Sequence, residues 1–557
     1  MKLSRYPLLF LSLLLLLCAC TAGKVPEKTR ESGGEDSTET SAAVEDNTPA
    51  LNAFSIDASG SLYKTMAKHA VCTVGTESIN TVKKEIFGDN LAWRGSGYGV
   101  WNPTQKTLNS KLVDAIRACG VTTLRYPGGI EGDYFHWQET LGSNRKAQID
   151  PFSDAYPTYA EKDGASFYPD FGLDEFFLLC EAADVEPVIQ LNAGNGTPEE
   201  AVTLIRYCLE KGYRVSSFAI GNEVNMKEEA VEGMKVTKTP EEYIAFAQSV
   251  YDGLGSLADS VELGVIGLVE SHALNAHADW DSKVLSALGD KIDFIDCHLA
   301  YAPYFTSEKD SNEDIFRCYM AASDYIGRLI GETKDEILKY GGENAENISI
   351  QITEYGPMGT YYNGTVGSVF LAALLQEMLA EPMISSANHL PMLNHPYAAN
   401  LVGYYNINGT EYFWDNICTY VFRWYAEQIG REVLNVDVDC SSFSAKKVGL
   451  IPFVSNAASA AAAVYLEPDK SAGTLFLINK STTQNQCFDV TLPFESITVE
   501  SVTELYANDP TAANTWDNPH KVMPKSYRVD SSALRSGTVS AVTKPISVLK
   551  IDFKVVK

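Results

Sequence analysis

Two glutamates close short apolar runs, Glu223 in Gly221-Asn222-Glu223 and Glu354 in Glu354-Tyr355-Gly356. Two carboxyl groups facing one bond suit the cleavage of a glycosidic acetal, in which one group protonates the leaving oxygen and the other, ionised, attacks the sugar carbon. A lone strand-end glutamate reads equally well as half of a surface salt bridge. A matched pair is harder to assign to chance. Further polar and aromatic residues stand at the ends of similar runs: Arg125 before Tyr126-Pro127-Gly128-Gly129, Asn192, His298 with Tyr301, and Asn388 with His389.

The elements that must position them alternate. Short runs rich in branched residues, at 86–93, 121–126, 186–192, 216–221, 261–266, 294–298, 348–354 and 385–392, are separated by longer amphipathic segments. This is the pattern of strand-helix units on a parallel sheet, and eight is the closing number for a (β/α)8 TIM barrel, expected over 83–430. Thr197-Pro198-Glu199-Glu200 and Thr239-Pro240-Glu241-Glu242 each offer an N-cap, a first-turn proline and a capping-box glutamate. In such a barrel the site is built at the C-terminal ends of the strands, where the residues above stand. From 431 to 557 the pattern becomes short alternating segments, which predicts a β-sandwich accessory domain. The alternating stretch 62–75, within a segment 51–82, is expected to add strands to it.

The chain is 557 residues long with a net charge of -28, which disfavours nucleic acid and anionic surfaces as partners and suits a neutral or soluble substrate. Lys2 and Arg5 precede an apolar run too short to span a bilayer, and Leu17-Cys18-Ala19-Cys20 resembles a lipobox. The expectation is a signal at 1–20, lipidation at Cys20, a polar tether over 21–50 and an extracytoplasmic lipoprotein held at a bacterial membrane. The nine later cysteines show no CxxC spacing and no His-Cys cluster has ligand spacing, so neither a metal nor another cofactor is expected.

The ordered motifs resemble clan A glycoside hydrolases, and most closely the α-L-arabinofuranosidases of glycoside hydrolase family 51. The resemblance is carried by Leu124-Arg125-Tyr126-Pro127-Gly128-Gly129 with His136-Trp137, then Phe171-Gly172-Leu173-Asp174-Glu175-Phe176, Asn192-Ala193-Gly194, Gly221-Asn222-Glu223 and the C-terminal Ala513-Asn514-Thr515. It implies retaining hydrolysis with Glu223 as acid/base and Glu354 as covalent nucleophile, their carboxyls about 5 to 5.5 Å apart. Asn222 is expected on the hydroxyl beside the reacting carbon, against a rival reading as a turn residue. Arg125 is expected to hold Glu354 ionised. His298 and Tyr301 would complete that shell, although His298 reads equally as a buried, backbone-satisfied histidine. Trp93, Trp137 and Tyr355 are candidate stacking rings, and Asp89, Asn90 and Asn388 are candidate sugar contacts. An oligomer such as the family's hexamers is compatible with the resemblance.

Three positions depart from the family pattern: Ala92 where a glutamate is usual, leaving Asp89 as a substitute acid, Ile130 for Asn or Cys, and Pro391 for glutamine. They bear on which sugar is taken. Activities on β-xylosides, β-glucosides, β-glucans or β-glucuronides therefore stay open, as does a glycan-binding protein without turnover. No GxGxxG or phosphate loop follows a strand, which disfavours a nucleotide-dependent enzyme.

Overall fold

The computed structural model describes residues 69–556 apart from 152–164, 228–230, 232–233, 270–273, 299, 305, 394–396 and 528–536. The readings of residues 1–68, Cys20 and the tether included, lie outside the described residues. Eight parallel strands close a barrel: β1 (Gly88–Asn90), β2 (Thr123–Tyr126), β3 (Glu186–Leu191), β4 (Ser217–Ile220), β5 (Leu263–Val269), β6 (Phe294–His298), β7 (Ser349–Met358) and β8 (Ile384–His389). Each pairs with its neighbours in chain order, and β8 returns to β1 through Asn388 opposite Gly88. At that seam a Cβ on Gly88 would lie 2.2 Å from Thr123 Oγ1 and 2.3 Å from Asn388 Nδ2, so only glycine lets the strands meet.

A helix follows each strand: α1 (Ser110–Cys119), α2 (Leu173–Ala183), α3 (Pro198–Lys211), α4 (Pro240–Leu254), α5 (Trp280–Leu288), α6 (Asn312–Tyr340), α7 (Thr365–Ala380) and α8 (Ile417–Ala426). The stripe Ala201, Leu204, Ile205 and Cys208 of α3 is buried in the barrel core, as helical periodicity requires. The capping box at Thr239 is complete: its hydroxyl accepts from Glu242 N at 3.2 Å while Glu242 Oε2 accepts from Thr239 N at 2.8 Å. At Thr197 only the hydroxyl half forms, because the Glu200 carboxylate turns instead to His136 Nδ1 at 3.1 Å.

A nine-stranded sheet forms the second layer system, in which Ala460–Leu466, Glu432–Asp439 and His69–Thr81 are consecutive neighbours. His69–Thr81 pairs antiparallel with Glu432–Asp439 and parallel with Gln486–Thr491, so the segment before the barrel joins the C-terminal sheet. That strand runs to Thr81, beyond the expected end at Gly75. The sheet has its own core, including Val74, Leu434, Leu475, Val499 and Ile551. Helix α7 packs against both the barrel and this sheet, and its residues are buried almost without interruption from Thr365 to Leu379. A helix enclosed on both sides has no polar face to keep, which accounts for the consecutive apolar run Val369, Phe370, Leu371 and Ala372 covering its whole circumference. The cysteines from Cys72 onward are free thiols, and all except Cys440 are buried.

Candidate active site

The parallel register sets the site. Asn90 lies opposite Arg125 across β1 and β2, and both side chains point into the barrel mouth. Arg125 is fully buried and divides its guanidinium among three acceptors: Nη1 donates to Glu354 Oε1 at 2.8 Å and Asn90 Oδ1 at 3.1 Å, and Nη2 donates to Asn222 Oδ1 at 2.7 Å. Asn90 Nδ2 in turn donates to Thr353 O at 2.8 Å. Asn90 therefore orients Arg125.

Glu354 stands within β7, with 7 % of its side chain exposed. A short strand, Ala300–Pro303, pairs with β7 and sets Tyr301 opposite Gly356, so that the Tyr301 hydroxyl donates to Glu354 Oε2. Both carboxylate oxygens are thus fixed. Burial alone would raise the Glu354 pKa, but the charges of His298 and Arg125 and the hydrogen bonds from Tyr301 and Arg125 bring it below the ordinary value.

Glu223 follows β4, and its Oε1 lies 2.8 Å from His298 Nδ1. His298 Nε2 donates to Thr353 Oγ1 at 3.1 Å, and that hydroxyl donates to Asp296 at 2.7 Å. Burial would lower the His298 pKa, yet the Glu354 charge, the hydrogen bond to Glu223 and the Asp296 charge lift it to about 9. At neutral pH the ring is an imidazolium donating from both nitrogens. Its partners are side chains, which distinguishes it from a histidine satisfied by backbone.

Ligand atoms of Glu223, His298 and Glu354 all lie within 4.8 Å of one another. These three side chains could hold a cation, but Arg125 and His298 already place positive charge against the carboxylates. The nearest Glu223 and Glu354 oxygens are no more than 4.8 Å apart, on the short side of the ~6.5–9.5 Å left for water in an inverting pair. Asn222 keeps Nδ2 buried without an acceptor among the described residues, while Oδ1 is held by Arg125. A sugar hydroxyl would satisfy that donor.

Five candidate contacts are placed elsewhere. Trp93 is 2 % exposed and packs beside Phe135, and Trp137 packs on Tyr207 with Nε1 donating to Glu200 O at 3.2 Å. Tyr355 is buried edge-on to His389, leaving none of these rings an open face for stacking. Asp89 is buried, with Oδ2 at 3.6 Å from His389 Nδ1 and Oδ1 accepting from Asn90 N at 2.7 Å; burial pushes its pKa up to about 6. Asp89 is therefore no substitute acid for Ala92. Asn388 Nδ2 donates to Asp89 O and Thr123 Oγ1, both at 3.3 Å, and so braces the barrel seam.

Sequence reasoning missed Asp133, Glu131 and Arg94. Asp133 accepts from the backbone of Glu223 and Asn222, and burial, with the Glu223 charge, pushes its pKa up to about 8. It holds the turn that carries the acid/base candidate. Glu131 and Arg94 form a buried pair beside Glu354, taken up below. Only the nearness of Glu131 and Asp133 to the double glycine could have signalled them.

Comparison with known proteins agrees with this architecture. The Alpha-L-arabinofuranosidase 1 domain matches residues 115–211 and the Alpha-L-arabinofuranosidase C-terminal domain matches 387–547. An intracellular exo-α-(1→5)-L-arabinofuranosidase of Streptomyces lividans is 23 % identical over 84 % of this chain and 73 % of its own. An intracellular exo-α-L-arabinofuranosidase of Bacteroides ovatus is 20 % identical over 87 % and 96 %. A solved family 51 α-L-arabinofuranosidase from Bifidobacterium longum superposes with a TM-score of 0.74 at 18 % identity, covering 87 % of this chain and 100 % of its own. The intracellular naming of these relatives overturns the expected placement as a membrane-anchored, extracytoplasmic lipoprotein. The two arabinofuranosidase domains in order, the relatives along most of the chain and the barrel with its second sheet support a clan A glycoside hydrolase similar to those of family 51.

Proposed function

We propose that the chain is a retaining α-L-arabinofuranosidase in which Glu354 is the nucleophile and Glu223 the acid/base. The observation that carries this reading is the carboxylate pair, within 4.8 Å and with its two members in different environments. In the first step a Glu354 oxygen bonds to the anomeric carbon as the glycosidic C–O bond breaks, and Glu223 gives its proton to the departing oxygen. In the second step Glu223 takes a proton from water, whose oxygen bonds to the anomeric carbon and releases Glu354. Arg125 and Tyr301 orient the nucleophile. Asn222 Nδ2 donates to the neighbouring hydroxyl, a contact that strengthens as charge develops on the sugar.

Ala92, packed under Gly128, favours a second reading in which another sugar is taken, since it presents no polar group. A panel of aryl glycosides separates the two readings. Fastest turnover on the α-L-arabinofuranoside, with the product's initial anomeric configuration retained by NMR, is expected. Fastest turnover on a β-xyloside or β-glucoside would replace the arabinose reading, and binding without turnover on any member would overturn the enzyme.

A further inference from the structure

A third carboxylate borders the reaction centre. Gly129 carries a positive φ of 24°, and a Cβ built on it would lie 3.4 Å from Glu354 Oε1 and 3.0 Å from Glu131 Oε2. The two acids thus flank one bare Cα, with nothing larger than a hydrogen between them. Those two contacts set an upper limit of about 6.4 Å between the two oxygens, within the span of one bound sugar.

Among side chains, Glu131 is held through one oxygen, by Arg94. Its Oε1 takes a hydrogen bond from Arg94 Nη2, and the same nitrogen donates to Asp150 Oδ1 at 2.8 Å. Arg94 and Asp150 have side-chain exposures of 4 % and 3 %, whereas Glu131 keeps 11 %. Among the described residues, no other side chain donates to Oε2. Burial, offset in part by Arg94 and by a hydrogen bond from its own backbone N–H, and reinforced by the Asp150 and Glu354 charges, pushes the Glu131 pKa up to about 7. Its neighbours on that wall are apolar: Ile130 precedes it in the chain and Ala92 packs under Gly128.

We infer that Glu131 is a specificity-determining residue whose Oε2 accepts a hydrogen bond from one ring or exocyclic hydroxyl of the sugar bound against Glu354, with Arg94 and Asp150 as positioning residues. This rests on the proposed glycosidase reading. A hydroxyl arriving at Oε2 replaces solvation that burial removed, and a substrate lacking that hydroxyl leaves the carboxylate unsatisfied.

The test is Glu131→Gln, assayed on an aryl α-L-arabinofuranoside and its 2-, 3- and 5-deoxy analogues. The amide keeps its oxygen for Arg94 and turns an NH2 group, a donor, toward the sugar. A fall in kcat/KM of roughly 10- to 100-fold is expected on the parent substrate. On one deoxy analogue the variant should match wild type within about threefold, because the contact no longer exists to lose. Equal losses on all four substrates, or no loss on any, would overturn the inference. Should the amide variant melt early, Glu131→Asp retains the charge while withdrawing it from the sugar, and the same pattern is required of it. Failure of wild type on the parent furanoside counts against the arabinose reading alone. The comparison is then repeated with the sugar that wild type does cleave and its deoxy analogues.

Discussion

The two halves of the carboxylate pair are built to opposite specifications. At the β7 end, Glu354 has both oxygens engaged, by Arg125 and Tyr301, in a pocket that favours its anion. At the β4 end, Glu223 retains 13 % side-chain exposure, and one oxygen is bonded to a histidine that itself titrates. A nucleophile must be ionised and aimed before substrate arrives, so immobilising it costs nothing later. An acid/base must lose and regain a proton in each cycle, and a partner that can itself exchange protons serves that need.

The comparison breaks first at the nucleophile. Glu354→Ala is expected to lower kcat by roughly four orders of magnitude, with added azide restoring part of the turnover by occupying the vacated position, as followed by aryl release. Glu223→Gln is expected to depend on the leaving group. On alkyl or oligosaccharide substrates kcat/KM should fall by roughly 10²- to 10⁴-fold, while a dinitrophenyl glycoside, which departs without a proton, should lose under about tenfold. Equal losses on both leaving groups would remove Glu223 from the acid role.

Tyr301→Phe sharpens the comparison by freeing one Glu354 oxygen. A loss of roughly tenfold in kcat with little change in KM is expected, because the fixed geometry matters more as the bond forms than on binding. The smallest effect is a pH dependence. The folded pKa of His298, about 9, stands above its ordinary 6.5, so the stability it lends by pairing with the carboxylates is complete below about 6.5 and is lost as pH rises through 9. Melting temperature measured from pH 6 to 10 should show this decline in wild type and a flatter profile in His298→Gln.

Much of the barrel was legible because its signals are local. Branched runs and capped amphipathic helices recur in order, and the eight expected strands fall on the observed ones, with shifts such as β5 beginning at Leu263 and β8 ending at His389. Strand-end placement also brought Arg125, Asn222, Glu223, His298, Tyr301 and Glu354 to one mouth, since parallel strands of a closed barrel all deliver their C-terminal ends to the same face. The aromatic candidates failed for a related reason. Proximity to a strand end places a ring near the mouth, but Trp93, Trp137 and Tyr355 each turn into packing that the sequence pattern does not encode.

From the chain's own order of residues came the strand-helix period, the helix caps and the identity of the two acids, all of which depend on neighbours a few positions apart. The tertiary structure alone decided which acids are charged and which are buried: Asp89 against His389, Asp133 beneath the Glu223 turn, and Glu131 joined to Arg94 and Asp150. Charge and desolvation act through space over a few ångströms, and those distances link residues from separate loops only once the barrel has closed.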